Sequence, residues 1–183
     1  MSITKNLDSK CNNGNIISVF CNPEDNYSAV VGFLIASDEN YFVLKHVTKE
    51  GKYDGYVLRC KDQVFRIDEK TSYENSLIKL YKHYGETHLD FLQSSENLII
   101  DFLRFASDNH FVIGVGARDY ESNSVLGLVD HIDTKNEALS IHLINDEGNF
   151  DGYSTISFDS IMRISADCQR EVALKTLNAI SKE

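Results

Sequence analysis

Glu50–Tyr56 reads EGKYDGY and Glu147–Tyr153 reads EGNFDGY. This pair decides how the chain is read, because similarity continues downstream at a constant spacing of 97 residues. Asp62–Ile67 (DQVFRI) faces Asp159–Ile164 (DSIMRI), and Glu74, Leu77 and Leu80 face Glu171, Leu174 and Leu177. Over Glu50–Tyr81 and Glu147–Asn178, 11 of 32 positions are identical, where unrelated segments would share about two or three. Upstream the spacing becomes 95, and Asn15–Gly32 faces His110–Gly127. There an apolar run (IISVF, FVIGV) passes through a polar turn into a second apolar run (AVVGFLIA, SVLGLVDHI) that holds Gly32 or Gly127. The chain is predicted to be an internal duplication.

Working outward, each copy reads as five short strands and a helix. Copy one offers strands near Ile16–Phe20, Ala29–Ala36, Tyr41–Val47, Tyr56–Cys60 and Val64–Ile67. Copy two offers Phe111–Val115, Val125–His131, Ala138–Ile144, Tyr153–Ser157 and Ile161–Ile164. Val, Ile, Phe and Tyr dominate these runs, and Asp, Asn and Gly punctuate them. Thr71-x-x-Glu74 is a capping box, so a helix follows the first set of strands. Asp167 is placed to cap the second helix, Cys168–Ala179. Glu96–Ala106, after Ser94 and Ser95, is apolar around much of its girth, as expected of a helix buried between the copies or in a homodimer interface. The predicted fold is mainly β with helices (α+β): two tandem five-stranded barrels, each followed by a helix, with a connecting helix between. Barrel closure would remove exposed edges. The expected division is 1–14, a polar segment; 15–82, copy one with its helix; 83–109, the helical connector; and 110–183, copy two with its helix.

Charge narrows the function classes. The 183 residues carry 18 Lys+Arg against 28 Asp+Glu, a net charge of −10, and that argues against general affinity for nucleic acid or anionic membrane. The excess is uneven. Asn15–Lys82 holds 9 basic and 10 acidic residues, whereas His110–Ile180 holds 5 and 11. The start has no apolar leader-like stretch, and the longest apolar run, Ala29–Ala36, is far short of a membrane span. Cys11, Cys21, Cys60 and Cys168 are scattered without a C-x-x-C pair, which fits thiols in a cytoplasmic protein.

Val125–Asn136 (VLGLVDHIDTKN) resembles the first Sm motif through Gly127, Asp133 and Asn136, and copy one keeps Gly32, Asp38 and Asn40. The second Sm motif, apolar-Arg-Gly, is met by Phe65-Arg66-Ile67 and Met162-Arg163-Ile164 without the glycine. The recurring YDGY, RI and E-x-x-L-x-x-L cadence also resembles small uncharacterised bacterial proteins. The resemblance implies Sm-like or SH3-like barrels and, as an alternative function, RNA binding through copy one.

The repeated residues are the candidate site. Tyr53, Asp54, Tyr56 and Arg66 in copy one, with Phe150, Asp151, Tyr153 and Arg163 in copy two, could form two ligand-binding faces. The competing roles are packing for the aromatics, turn chemistry for the aspartates, and ion pairing of each arginine with Asp62/Asp159 or Glu74/Glu171. No nucleophile-elbow, Walker, calcium-loop or zinc spacing is present, so no catalytic residue, metal or cofactor is expected. The leading expectation is a non-catalytic binding or regulatory protein that meets a protein partner through its loops. A third is a hydrolase-type enzyme at the copy junction, drawing on His88, His131 or His142.

Overall fold

The structure is a computed structural model that describes residues 2–24, 28–117 and 124–181. The polar turns expected after the first strand of each copy fall partly outside these residues. The chain divides into two compact units, Met1–Phe91 and Leu92–Glu183. Unit 1 runs through α1 (Ile3–Asp8), β1 (Ile16–Phe20), β2 (Ala29–Ser37), β3 (Tyr41–Val47), β4 (Tyr53–Cys60), a 3-10 turn at Lys61–Gln63, β5 (Arg66–Glu69) and α2 (Ser72–Tyr84). Unit 2 opens with α3 (Leu98–Asp108). It continues through β6 (Val112–Ala117), β7 (Val125–Asp133), β8 (Ala138–Ile144), β9 (Phe150–Ser157), a 3-10 turn at Phe158–Ser160, β10 (Ile161–Ala166) and α4 (Gln169–Ile180).

The expected pair of closed barrels is not formed. The five strands of each unit instead form an open antiparallel run. Within unit 1 the order is β5-β1-β2-β3-β4, and within unit 2 it is β10-β6-β7-β8-β9. Closing unit 1 would require β5 to return to β4. Instead β5, four residues long, pairs with β1 from Ile17↔Glu69 to Phe20↔Arg66. Glycine and apolar alternation mark where strands are and which neighbours they prefer. They do not encode whether the last strand comes back to the fourth, and this is where the barrel expectation failed.

Each unit keeps the same core positions. In unit 1 Ile16, Val31, Val47 and Leu77 form a buried cluster, and in unit 2 Val112, Leu126, Ile144 and Leu174 form another. Gly32 and Gly127 hold corresponding registers, opposite His46 on β3 and Leu143 on β8. A Cβ there would overlap the carbonyl oxygen of Lys45 or His142, so the close strand approach admits only glycine. The EG turns have a second task. Gly51 (φ 77°) and Gly148 (φ 84°) join β3 to β4 and β8 to β9, and a Cβ would strike Leu80 on α2 or Leu177 on α4. Positive φ and helix contact together fix glycine at this position. Gly55 and Gly152 also have positive φ, but within β4 and β9 rather than at a strand reversal.

The helix starts differ between the units. Thr71 and Glu74 form the expected capping box on α2. On α4 the cap is Cys168, not Asp167, which has φ 58°. On α3 the cap is Asn97, while Ser94 and Ser95 donate to the buried Asp101 carboxylate from both backbone N–H groups and the Ser94 hydroxyl. Burial pushes the Asp101 carboxyl up, and these hydrogen bonds outweigh it and hold it below the usual range. Leu98, Ile99, Phe102, Leu103 and Ala106 of α3 are buried against the protein's own chain. In unit 1, α1 is seated by Asp8, whose Oδ1 lies 2.6 Å from the buried Lys61 ammonium.

Candidate functional site

The paired motif residues lie on β4 and β9, and the two units treat them in opposite ways. In unit 1 the chain after α2 folds back over the β3–β4 face. His88 enters this face with its ring 4.4 Å from Tyr53 and 5.3 Å from Tyr56, edge to face with the latter. Its Nε2 lies 3.0 Å from both the His46 and the Gly55 carbonyl oxygens. Carbonyls only accept, so Nε2 carries the proton and Nδ1 accepts from the Tyr81 hydroxyl at 2.7 Å. Burial pushes the imidazole pKa down to about 4 and the Tyr81 hydroxyl up to about 12. His88 is therefore neutral at physiological pH. The next residues complete the cover: the Tyr56 hydroxyl donates to the Leu89 carbonyl at 2.9 Å, and the Lys45 ammonium lies 3.4 Å from Asp90. Asp54 faces His46, with Oδ2 3.0 Å from Nδ1.

In unit 2 the corresponding aromatics face solvent. Tyr153 pairs across the ladder with His142, as Tyr56 does with Lys45. The His142 ring stacks on Phe150 at 3.9 Å and 9°, and on Tyr153 at 4.5 Å and 12°. Each unit thus sets an imidazole against its two aromatics, from the strap after α2 in unit 1 and from β8 in unit 2. The result differs in exposure. Tyr56 is 0% exposed and Tyr153 64%, with Phe150 at 39%. Asp151 is exposed as well. The position of Tyr81 on α2, which holds the strap through His88, is taken on α4 by Asn178. Its side-chain amide turns instead to the Gly148 carbonyl at 2.7 Å.

The arginines do not join these faces. Arg66 Nη2 pairs with Asp68 at 2.5 Å, and its guanidinium lies 4.4 Å over the Phe20 ring. The expected partners Asp62 and Glu74 are not the ones it takes. Arg66 borders an open cleft of about 620 Å³ whose wall includes Ser18, Phe20, Thr71, Tyr73 and Glu74. Arg163 reaches Ser124 at 3.5 Å. Glu74 and Glu171 serve the helices instead. Glu74 is buried and accepts from the Ser18 hydroxyl on β1 at 2.6 Å; Glu171 is buried and accepts from Ser165 on β10 at 2.5 Å. Asp38 and Asp133 each accept backbone N–H groups of their own turns. No disulfide links Cys11, Cys21, Cys60 or Cys168. Among the described residues no helix is long and apolar enough to cross a membrane.

Motif reading found Tyr53, Asp54, Tyr56, Phe150, Asp151 and Tyr153, and missed the residues that give them opposite fates. His88, Tyr81 and His142 are not repeated, so the repeat does not mark them; His88 and His142 enter the sequence reading only as candidates for an enzyme at the copy junction, and Tyr81 is not singled out in it. The informative signal was substitution between copies: Lys45 against His142 and Tyr81 against Asn178. No protein-family model, curated protein or solved structure matches the chain.

Proposed function

We propose that the protein is a non-catalytic binding module that engages a protein partner through the β8–β9 face of unit 2. The observation that carries this reading is the contrast between Tyr56, wholly buried with its hydroxyl bonded to the chain's own strap, and Tyr153, exposed on the corresponding strand. We read the two units as duplicates on the 11 shared positions of 32. On that reading, unit 1 supplies the example of what such a face accepts: a short stretch of polypeptide outside any helix or strand. An exposed aromatic cluster with acidic neighbours is the kind of patch that marks an interaction site. The setting we propose is the cytoplasm, where thiols persist.

The test is capture with three full-length baits: the native protein, a Phe150→Ser/Tyr153→Ser variant, and a Tyr84→Ser control altered on α2. The reading expects a protein retained by the native and control baits and lost from the double variant. Capture of the same proteins by all three, or of none by any, overturns it.

A further inference from the structure

We propose that β9 accepts an extended, lysine- or arginine-bearing peptide segment as an added β-strand. This inference rests on the β8–β9 docking face above and names its partner. Three observations carry it.

The first is position. Among the described residues β9 is the last strand in the order of unit 2, with no strand paired on its outer side. Six of its eight residues are exposed, whereas none of the eight residues of the corresponding β4 is. A free edge presents backbone N–H and C=O groups that another strand can satisfy.

The second is the lack of edge protection. Natural edges are commonly blunted by lysine, proline or an inward charge. Phe150–Ser157 (FDGYSTIS) holds no lysine, arginine or proline. Its one irregularity is the register shift between His142 and Ile144, beside Asp151 and Gly152. The strand beyond it, Tyr153–Ser157, pairs regularly with Ser157 opposite Ala138.

The third is charge. β7, β8 and β9 together contain no lysine or arginine, yet carry Asp130, Asp133 and Asp151. Asp146 and Glu147 add to the acidity in the turn leading into β9, with Arg170 3.6 Å from Asp146. A second copy of this chain, with a net charge of −10, is a poor occupant for such an edge. A cationic segment is favoured instead by the long-range field, and a side chain opposite Tyr153 can lay its charge on the exposed ring. Main-chain pairing would supply affinity, and the acidic and aromatic side chains the choice of partner.

The experiment titrates the full-length protein against three fluorescent heptapeptides: alternating Lys-Val, alternating Glu-Val, and the Lys-Val peptide N-methylated at every backbone amide, so that neither edge keeps a donor. The Lys-Val peptide is expected to bind about tenfold or more tightly than the Glu-Val one, and to weaken as salt rises. N-methylation removes backbone donors while keeping charge, so it should cost a further tenfold or so. Bound peptide should slow amide exchange within Phe150–Ser157, and Tyr153→Ser should weaken binding without changing the melting temperature. Equal binding by the N-methylated peptide, equal binding by Glu-Val, protection elsewhere, or no binding at about 1 mM, a level that already corresponds to weak affinity, overturns the proposal. Partner capture that depends on Phe150 and Tyr153 while all three peptides fail leaves the docking face standing and removes the added strand.

Discussion

Glu171 is the residue at which the two units differ most plainly in energy. Glu74 has both oxygens engaged: Oε1 by Ser18, and Oε2 by the Thr71 hydroxyl at 2.5 Å and the Thr71 N–H at 3.0 Å. Glu171 keeps the first contact, through Ser165, but its Oε2 is buried without a hydrogen-bond partner. The cause is the N-cap, where Cys168 stands in place of Thr71 with nearly the same backbone angles and no hydroxyl. Cys168→Thr restores the missing donor and should raise stability by about 1 kcal/mol, the usual worth of such a cap. A urea midpoint that stays put or falls would contradict this account. The capping box in unit 1 was legible because both of its members appear at the required spacing. Its absence in unit 2 was not, because Asp167 is an equally good cap by residue type. Only its φ of 58° shows that it lies outside the helix start.

Among the elements, the strap after α2 governs how unit 1 responds to acid. His88 has an imidazole pKa near 4 in the folded protein against 6.5 when unperturbed. Burial is the leading cause, with Lys45 and His46 adding charge repulsion and the two carbonyls opposing it. Because the folded value is the lower one, the unfolded chain binds more protons between these two pH values. Stability is therefore complete above about pH 6.5 and declines as pH falls toward 4, by up to about 3 kcal/mol from this group. Protonation at Nδ1 would also reverse the bond from Tyr81, placing two donors against each other until the hydroxyl turned. Melting temperatures measured from pH 7.5 to 4 should show this slope, and His88→Gln should flatten it. An unchanged slope in the variant would place the acid sensitivity elsewhere. Nothing in the strap's sequence, GETHLDF, has strand or helix periodicity, so its role could be seen only once Tyr53, Tyr56 and Tyr81 were brought around it. The strand beneath it was legible, since Tyr41–Val47 falls where alternation puts it, as does the corresponding Ala138–Ile144 of unit 2.

For the molecule as a whole, the matching registers of the two units mean that one substitution can be made twice and compared. Tyr56→Ala removes a wholly buried ring and the bond that pins Leu89, and should cost about 3–5 kcal/mol. Tyr153→Ala, at the corresponding position, should change stability by no more than about 0.5 kcal/mol. Equal losses in chemical denaturation would show that Tyr153 is a packing residue and not a displayed one. The two units also fill one matching compartment differently. Ser18 on β1 and Gly114 on β6 hold the same register, each next to the residue opposite the motif glycine. Asp68 faces the one and Ser165 the other. The hydroxyl that holds the helix glutamate thus comes from β1 in unit 1 and from β10 in unit 2. A Cβ on Gly114 would stand 2.7 Å from the Ser165 hydroxyl and 2.8 Å from the Glu171 carboxylate. One compartment has room for a single hydroxyl. Gly114→Ser alone would therefore overcrowd the unit 2 compartment, and Ser165→Ala alone would leave the Glu171 carboxylate without its hydroxyl donor, so the two positions can be exchanged only as a pair.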